Sequence, residues 1–319
     1  MSDLKLWQKI RPNLSFRGPD GIRAGWSIAI FLAITLAILT PIQFGLVHIA
    51  EKWYHFKFPP VDEIPPAMFL VFEAASTLAL LAITAIMARI EGRSLWDYGL
   101  ASPRGKIHFC AGWAGGFLCL SVLAGLLVWA GNLVVAGFAL HGANALFYGL
   151  IYFVGFGLTG ISEEITNRGY FQYTLARGLG FWPGAVISSG IFAIMHLNNH
   201  GETFLGIAQV FCAGIVFCAL LRESGSLWMS IGFHAAWDWA QSYFYGTPDS
   251  ATLFKGHLLI SHATGSALMS GGSAGPEGSA LATPVMIAGP LLLLWIGRQA
   301  GLFGQSIEKD DVALAFENR

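Results

Sequence analysis

The feature that most limits what this chain can fold into is the recurrence of apolar runs long enough to cross a bilayer. Taking ~20 residues as the length of a spanning helix, such runs fall at about 25–49, 67–90, 108–137, 146–176, 181–198, 204–221, 225–245 and 281–298. Backbone N–H and C=O groups in hydrocarbon must bond within their own segment, so runs of this kind become helices. The expectation is an all-α polytopic membrane protein, with about eight transmembrane helices in one bundle. Within the long third run, Gly115–Gly116 and Gly131 are places where the helix bends or ends. The first run lacks a signal-cleavage pattern and reads as a retained span. Composition agrees, because 12% of residues are charged where a soluble domain carries roughly 25%. A net charge of −1 leaves no electrostatic footprint for nucleic acid, so the expected surroundings are a lipid bilayer.

The basic residues orient the bundle. With the N-terminus in the cytoplasm and eight alternating spans, 15 of the 18 Lys and Arg fall on the cytoplasmic side, counting Arg168, which belongs inside a helix. Only Lys52, Lys57 and Lys255 fall outside. Such asymmetry places both termini in the cytoplasm, and the location is an integral membrane one, the inner or plasma membrane in a bacterium. The chain divides into a basic cytoplasmic segment 1–24, a bundle 25–298 with its catalytic core at 146–245, and a cytoplasmic tail 299–319. Of the outer loops, that around 51–66 is short and proline-containing. The other, around 246–280, is rich in Gly, Ser and Ala and is expected to be mobile, with one interfacial turn. Its His257 and His262 have no acidic neighbour and read as solvated. The four cysteines lie in apolar runs without C-x-x-C spacing and read as small buried hydrophobes.

Against this background one stretch stands out, Gly160-Ile-Ser-Glu-Glu-Ile-Thr-Asn-Arg-Gly169. A carboxylate in hydrocarbon costs several kcal/mol unless it is paired, protonated or coordinated, so an intramembrane acid marks function. Glu164 and Arg168 are four apart on one helix face, acid first. Glu163 points roughly 100° away and is left for something else. Counting ~1.5 Å per residue from the cytoplasmic helix ends, Glu163 lies about 21 Å deep, His196 about 22 Å, His234 about 15 Å and Asp238 about 21 Å. Three helices therefore bring ionisable groups to nearly one level, with Glu73 at a similar depth. Phe192 precedes His196 by one turn, and His234 and Asp238 form an i,i+4 pair. His200, four residues beyond His196, falls at a polar helix end and reads as loop.

A buried glutamate beside imidazoles suits general-base activation of water. Imidazoles and a carboxylate also suit stabilisation of an oxyanion, or a Zn²⁺ site with an open position. No Ser or Cys stands out as a nucleophile, and the H-E-x-x-H zincin pattern is absent. The residues thus favour hydrolysis by activated water without a covalent intermediate.

Glu163-Glu164-x-x-x-Arg168, Phe192-x-x-x-His196 and His234-x-x-x-Asp238 together resemble the three motifs of the CPBP family. These are intramembrane proteases related to type II CAAX prenyl endopeptidases and to bacteriocin-processing and immunity proteins. Trp96-x-Tyr98-Gly99-Leu100 is similar to a further recurring feature of that family. The resemblance implies an endopeptidase acting on a membrane-bound or lipidated peptide. It makes Glu163, with His196, the activator of water, and gives Glu164 and Arg168 a supporting role. His234 and Asp238 would stabilise the oxyanion or, with His196, complete a metal site. Many members carry Asn where this chain has Asp238. That leaves open a metal-independent glutamate hydrolase and a Zn²⁺ metalloprotease. The rival readings are a non-catalytic immunity or chaperone-like member and an ion-coupled carrier. The paired inverted repeats common in carriers are not visible.

Overall fold

The architecture is that of a computed structural model, which describes residues 16–18, 21–57, 63–199, 201 and 203–303. Most of the basic N-terminal segment, the tail from 304 onward and His200 lie outside the described residues. A two-residue ladder joins β1 (Arg17–Gly18) to β2 (Gly21–Ile22) ahead of the first helix. Ten helices follow among the described residues. They are α1 (Ala24–Tyr54), α2 (Pro66–Ile90), α3 (Gly105–Trp129), α4 (Gly142–Glu164), α5 (Gln172–Leu179), α6 (Phe181–Met195), α7 (Phe204–Ser224), α8 (Trp228–Trp239), α9 (Ala267–Ser270) and α10 (Ala282–Gln299). A π-helical turn, Ile165–Phe171, joins α4 to α5 without a break.

Among the described residues, five helical segments are long and apolar enough to cross a membrane: α1, α2, α3, the continuous 142–179 segment, and α7. The expected runs at 181–198, 225–245 and 281–298 also fold as helices, but shorter or less apolar ones. The apolar window of α1 is only 6% buried within the protein. Leu36, Phe44, Leu78, Leu118 and Leu150 are likewise exposed side chains on the first four of these segments. Facing water, each would forgo about 25 cal/mol per Å² of apolar surface; facing lipid, none does. The chain is an integral membrane protein.

The third run departs from expectation. Its helix stops at Trp129, and Gly131 takes the left-handed conformation at φ 72° that turns the chain out of the helix. The β-branched stretch that follows becomes strand β3 (Leu133–Phe138), paired antiparallel with β4 (Leu259–Ala263). The all-α expectation thus gains a small sheet, and 246–280 is a folded cover whose strand is anchored on β3. The helix runs unbroken through Gly115 and Gly116. Gly115 lies against Leu293 of α10, and Gly116 belongs to the contact of α3 with α8, where the two backbones touch: a Cβ at Gly112, Gly116 or Gly232 would overlap the carbonyl oxygen of Met229, Phe233 or Phe109 respectively. Small residues at such spacing are how membrane helices approach closely. Cys119 and Cys218 are buried, whereas Cys110 is exposed on α3 and Cys212 is half-buried.

The N-terminal end of α8 is pinned by the Trp96–Leu100 segment. Ser94 caps a short 3₁₀ turn over Leu95–Tyr98, and Gly99 at φ 87° reverses the chain. Leu227 N–H then donates to the Gly99 carbonyl and Trp228 Nε1 to that of Leu100, each at 2.9 Å. The Tyr98 and Tyr170 hydroxyls both donate to Glu91, tying this corner to the end of α2.

Candidate active site

The backbone of α4 is loosened directly after its two glutamates. Thr166 Oγ1 donates to the Ser162 carbonyl at 2.7 Å, and Asn167 Nδ2 to that of Glu163 at 2.9 Å. These carbonyls would otherwise take main-chain N–H groups one turn on, so the ladder slips to i+5 spacing through Phe171. The same happens after Asp238, where α8 passes into a π turn over Ala240–Phe244.

Arg168 is 1% exposed and Glu164 is fully buried. Arg168 Nη1 donates to Glu164 Oε1 at 3.0 Å, and the guanidinium lies 4.3 Å from the ring centre of Phe192 and 5.1 Å from that of Phe217. An ion pair with two aromatic faces replaces the water that a buried cation loses.

The same Glu164 oxygen lies 3.0 Å from Nδ1 of His234. A carboxylate paired with arginine can only accept, so Nδ1 carries the hydrogen and Nε2 points the other way. There it meets Glu163 Oε2 and Asp238 Oδ2, each 3.6 Å away. Phe217 stacks on the imidazole at 5.1 Å between ring centres.

His196 begins a short 3₁₀ turn at the end of α6. Its Nδ1 is 2.9 Å from the Phe192 carbonyl, an acceptor, so in the neutral ring Nε2 keeps a lone pair. Phe192 packs edge-on against His196 at 4.7 Å.

Glu163, His196, His234 and Asp238 line one cavity of about 280 Å³. Glu164 and Arg168 sit behind its wall. Glu73 lines it from α2, beside Thr159. His257 and His262 do not line it.

Sequence reasoning missed the contribution of the 246–280 cover. Asp249, Ser250, Thr252, Phe254 and Glu277 also line the cavity. Ser242 Oγ donates to Asp249 at 3.0 Å, and Glu277 Oε1 accepts from the Ser250 N–H at 2.6 Å. The available signal was that Asp249 and Glu277 are the two acids of that segment, each directly after a proline. Gln209 of α7 was missed as well, with no signal beyond an amide in an apolar run.

Residues 145–240, which carry all three motifs, match the family model described as type II CAAX prenyl endopeptidase Rce1-like. Over those residues the chain is similar to the Rce1-like family. No curated protein matches the chain. The matched segment begins in α4 and ends where α8 passes into its π turn, so it contains Glu163, His196, His234 and Asp238. Glu73 and the cover, which complete the cavity, fall outside it.

Zn²⁺ would bind histidine nitrogen and carboxylate oxygen at about 2.0–2.2 Å in a tetrahedral set. Among the described residues no group of three or more His, Cys, Asp or Glu is arranged to hold a metal ion. One ring nitrogen of each cavity histidine is held, by Glu164 or by the Phe192 carbonyl, which leaves Nε2 of each ring as the nitrogen a ligand could reach.

Proposed function

We propose that this chain is an intramembrane endopeptidase that cleaves a membrane-associated or lipidated peptide with water activated by Glu163 and His196. The observation that carries the reading is the meeting of the Glu163 and Asp238 carboxylates at Nε2 of His234, 3.6 Å from each, in a cavity that His196 also lines. On this reading the shorter apolar helices α6, α8 and α10 complete an eight-span bundle with both termini in the cytoplasm.

The attacking water sits between two acceptors, the Glu163 carboxylate and Nε2 of His196. Glu163 takes a proton as the oxygen adds to the scissile carbonyl carbon, a role worth about 10²–10⁴ in rate. The carbonyl oxygen becomes an oxyanion and needs a donor. His234 supplies it from Nε2 as an imidazolium, since its Nδ1 hydrogen is given to Glu164. Glu163, Glu164 and Asp238 surround that ring and balance its charge. Asp238 orients the imidazole and leaves the oxyanion to His234. When the tetrahedral intermediate collapses, the C–N bond breaks and Glu163 returns its proton to the departing amine.

The test uses purified protein in detergent and two probes. One is a quenched-fluorescent peptide ending in a farnesylated Cys-a-a-X sequence, the substrate type that the family description names. The other is a set of single-span peptides. Cleavage by the wild type that is lost in Glu163→Gln supports the reading. Cleavage unchanged in Glu163→Gln, or none of either probe by the wild type, overturns it.

A further inference from the structure

Gln209 is 2% exposed, yet neither its amide oxygen nor its amide nitrogen has a hydrogen-bond partner among the described residues. Leaving both ends of a buried amide unpaired is costly, and such groups in a folded protein call for an explanation. The position supplies one. Gln209, Ala213 and Phe217 are spaced by four on α7 and form one stripe, and all three line the cavity that holds Glu163, His196 and His234. Phe217 is the ring stacked on His234, and Gln209 lies two turns along the same stripe, about 12 Å away. Val210, beside it, packs with Phe192 and Ala193 of the helix that leads into His196.

A primary amide presents one acceptor and two donors in a plane. That arrangement complements a peptide unit, which offers one N–H and one C=O. A peptide entering a bundle of apolar helices loses water from every main-chain group and needs such partners. We infer that Gln209 binds the substrate main chain, pairing with a peptide unit near the scissile bond and holding the carbonyl in reach of the activated water. The inference rests on the endopeptidase reading. It adds that the substrate is engaged as extended peptide backbone, in addition to any lipid it carries.

The experiment compares wild type with Gln209→Leu, which keeps size and shape and removes both polar ends, and with Gln209→Asn. The probes are the two peptide types above and, for the sequence that is cut, depsipeptides in which single peptide bonds flanking the cleavage site become esters. Gln209→Leu is expected to lower catalytic efficiency 10- to 100-fold, with a melting temperature in detergent equal to or above that of wild type. Gln209→Asn is expected to recover part of the activity. One ester position should slow wild type at least 10-fold and leave Gln209→Leu nearly unaffected, which a purely structural glutamine would not produce. Activity of Gln209→Leu within twofold of wild type overturns the inference while leaving the protease reading intact. So does an equal ester effect in both proteins, or a Gln209→Leu chain that fails to fold while Gln209→Asn behaves as wild type. Absence of cleavage by wild type removes the protease reading itself, and this inference with it.

Discussion

Glu164 and His234, seventy residues apart, are joined by a 3.0 Å hydrogen bond through the same carboxylate oxygen that receives Arg168. The adjacent glutamate, Glu163, approaches the opposite nitrogen of the same ring. Two neighbouring acids therefore hold one imidazole from both sides. Glu164, clamped to arginine behind the wall, sets which nitrogen faces Glu163, and Glu163 itself lines the cavity.

This division predicts different failures for the two acids. Glu163→Gln should fold normally and lose about 10²–10⁴ of the cleavage rate, the range for a general base. Glu164→Gln should lower stability by about 3–5 kcal/mol, because it leaves Arg168 buried without its counter-charge. Cleavage rates beside thermal unfolding in detergent separate them, and equal stability losses would contradict the assignment.

The Arg168–Glu164 pair should be strongly non-additive. Arg168→Met alone leaves the buried Glu164 carboxylate with His234 as its remaining partner, and Glu164→Leu alone strands a buried guanidinium. The double variant strands neither and should be more stable than either single one. Arg168→Lys should restore little, because an ammonium cannot lie flat between Phe192 and Phe217 while reaching Glu164. Melting temperatures of the four proteins complete the cycle.

Gly116→Val should reduce both stability and activity, although the residue does not line the cavity. A side chain there pushes on the Phe233 carbonyl and displaces α8, which carries His234 and Asp238. Overpacking of this kind costs about 1–3 kcal/mol or more. Gly125→Ala, on the same helix with open space around it, should leave both unchanged, and parallel melting and cleavage assays compare the two.

The cover depends on Glu277. Ser250 and Ala251 hold left-handed backbone angles, φ 45° and 64°, which are unfavourable for residues with a Cβ. Glu277 Oε1 holds the Ser250 N–H in place. Glu277→Ala should release this turn and speed proteolytic nicking within 246–280 several-fold. Limited proteolysis followed by mass spectrometry reads the site directly.

A strong Zn²⁺ chelator should leave cleavage intact, and elemental analysis of active protein should find no stoichiometric zinc. Loss of activity that returns with Zn²⁺ or Co²⁺ would restore the metalloprotease reading despite the donor arrangement.

Much of this was legible in the sequence, for identifiable physical reasons. Apolar runs of bilayer length, the bias of Lys and Arg, and the i,i+4 spacing of Glu164–Arg168 and His234–Asp238 are local properties, and a helix converts spacing directly into shared faces. The meeting of Glu163, His196 and His234 could be anticipated from depth, because membrane helices run roughly antiparallel. Other features depend on what each segment packs against. Whether 130–138 continues α3 or turns into a strand depends on β4, more than a hundred residues away. That Glu164 orients His234 depends on rotation of α8 about its axis, set by glycine contacts with α3. The delivery of Asp249 and Glu277 into the cavity, and the isolation of the Gln209 amide, arise where distant segments close over one space. Sequence alone determined that the chain is built of apolar helices of bilayer length and that Glu163, Glu164, Arg168, His196, His234 and Asp238 lie among them, since hydrocarbon admits few alternatives. Tertiary structure alone decided which atom of each group faces which, because helix rotation and loop closure are fixed by packing between remote parts of the chain.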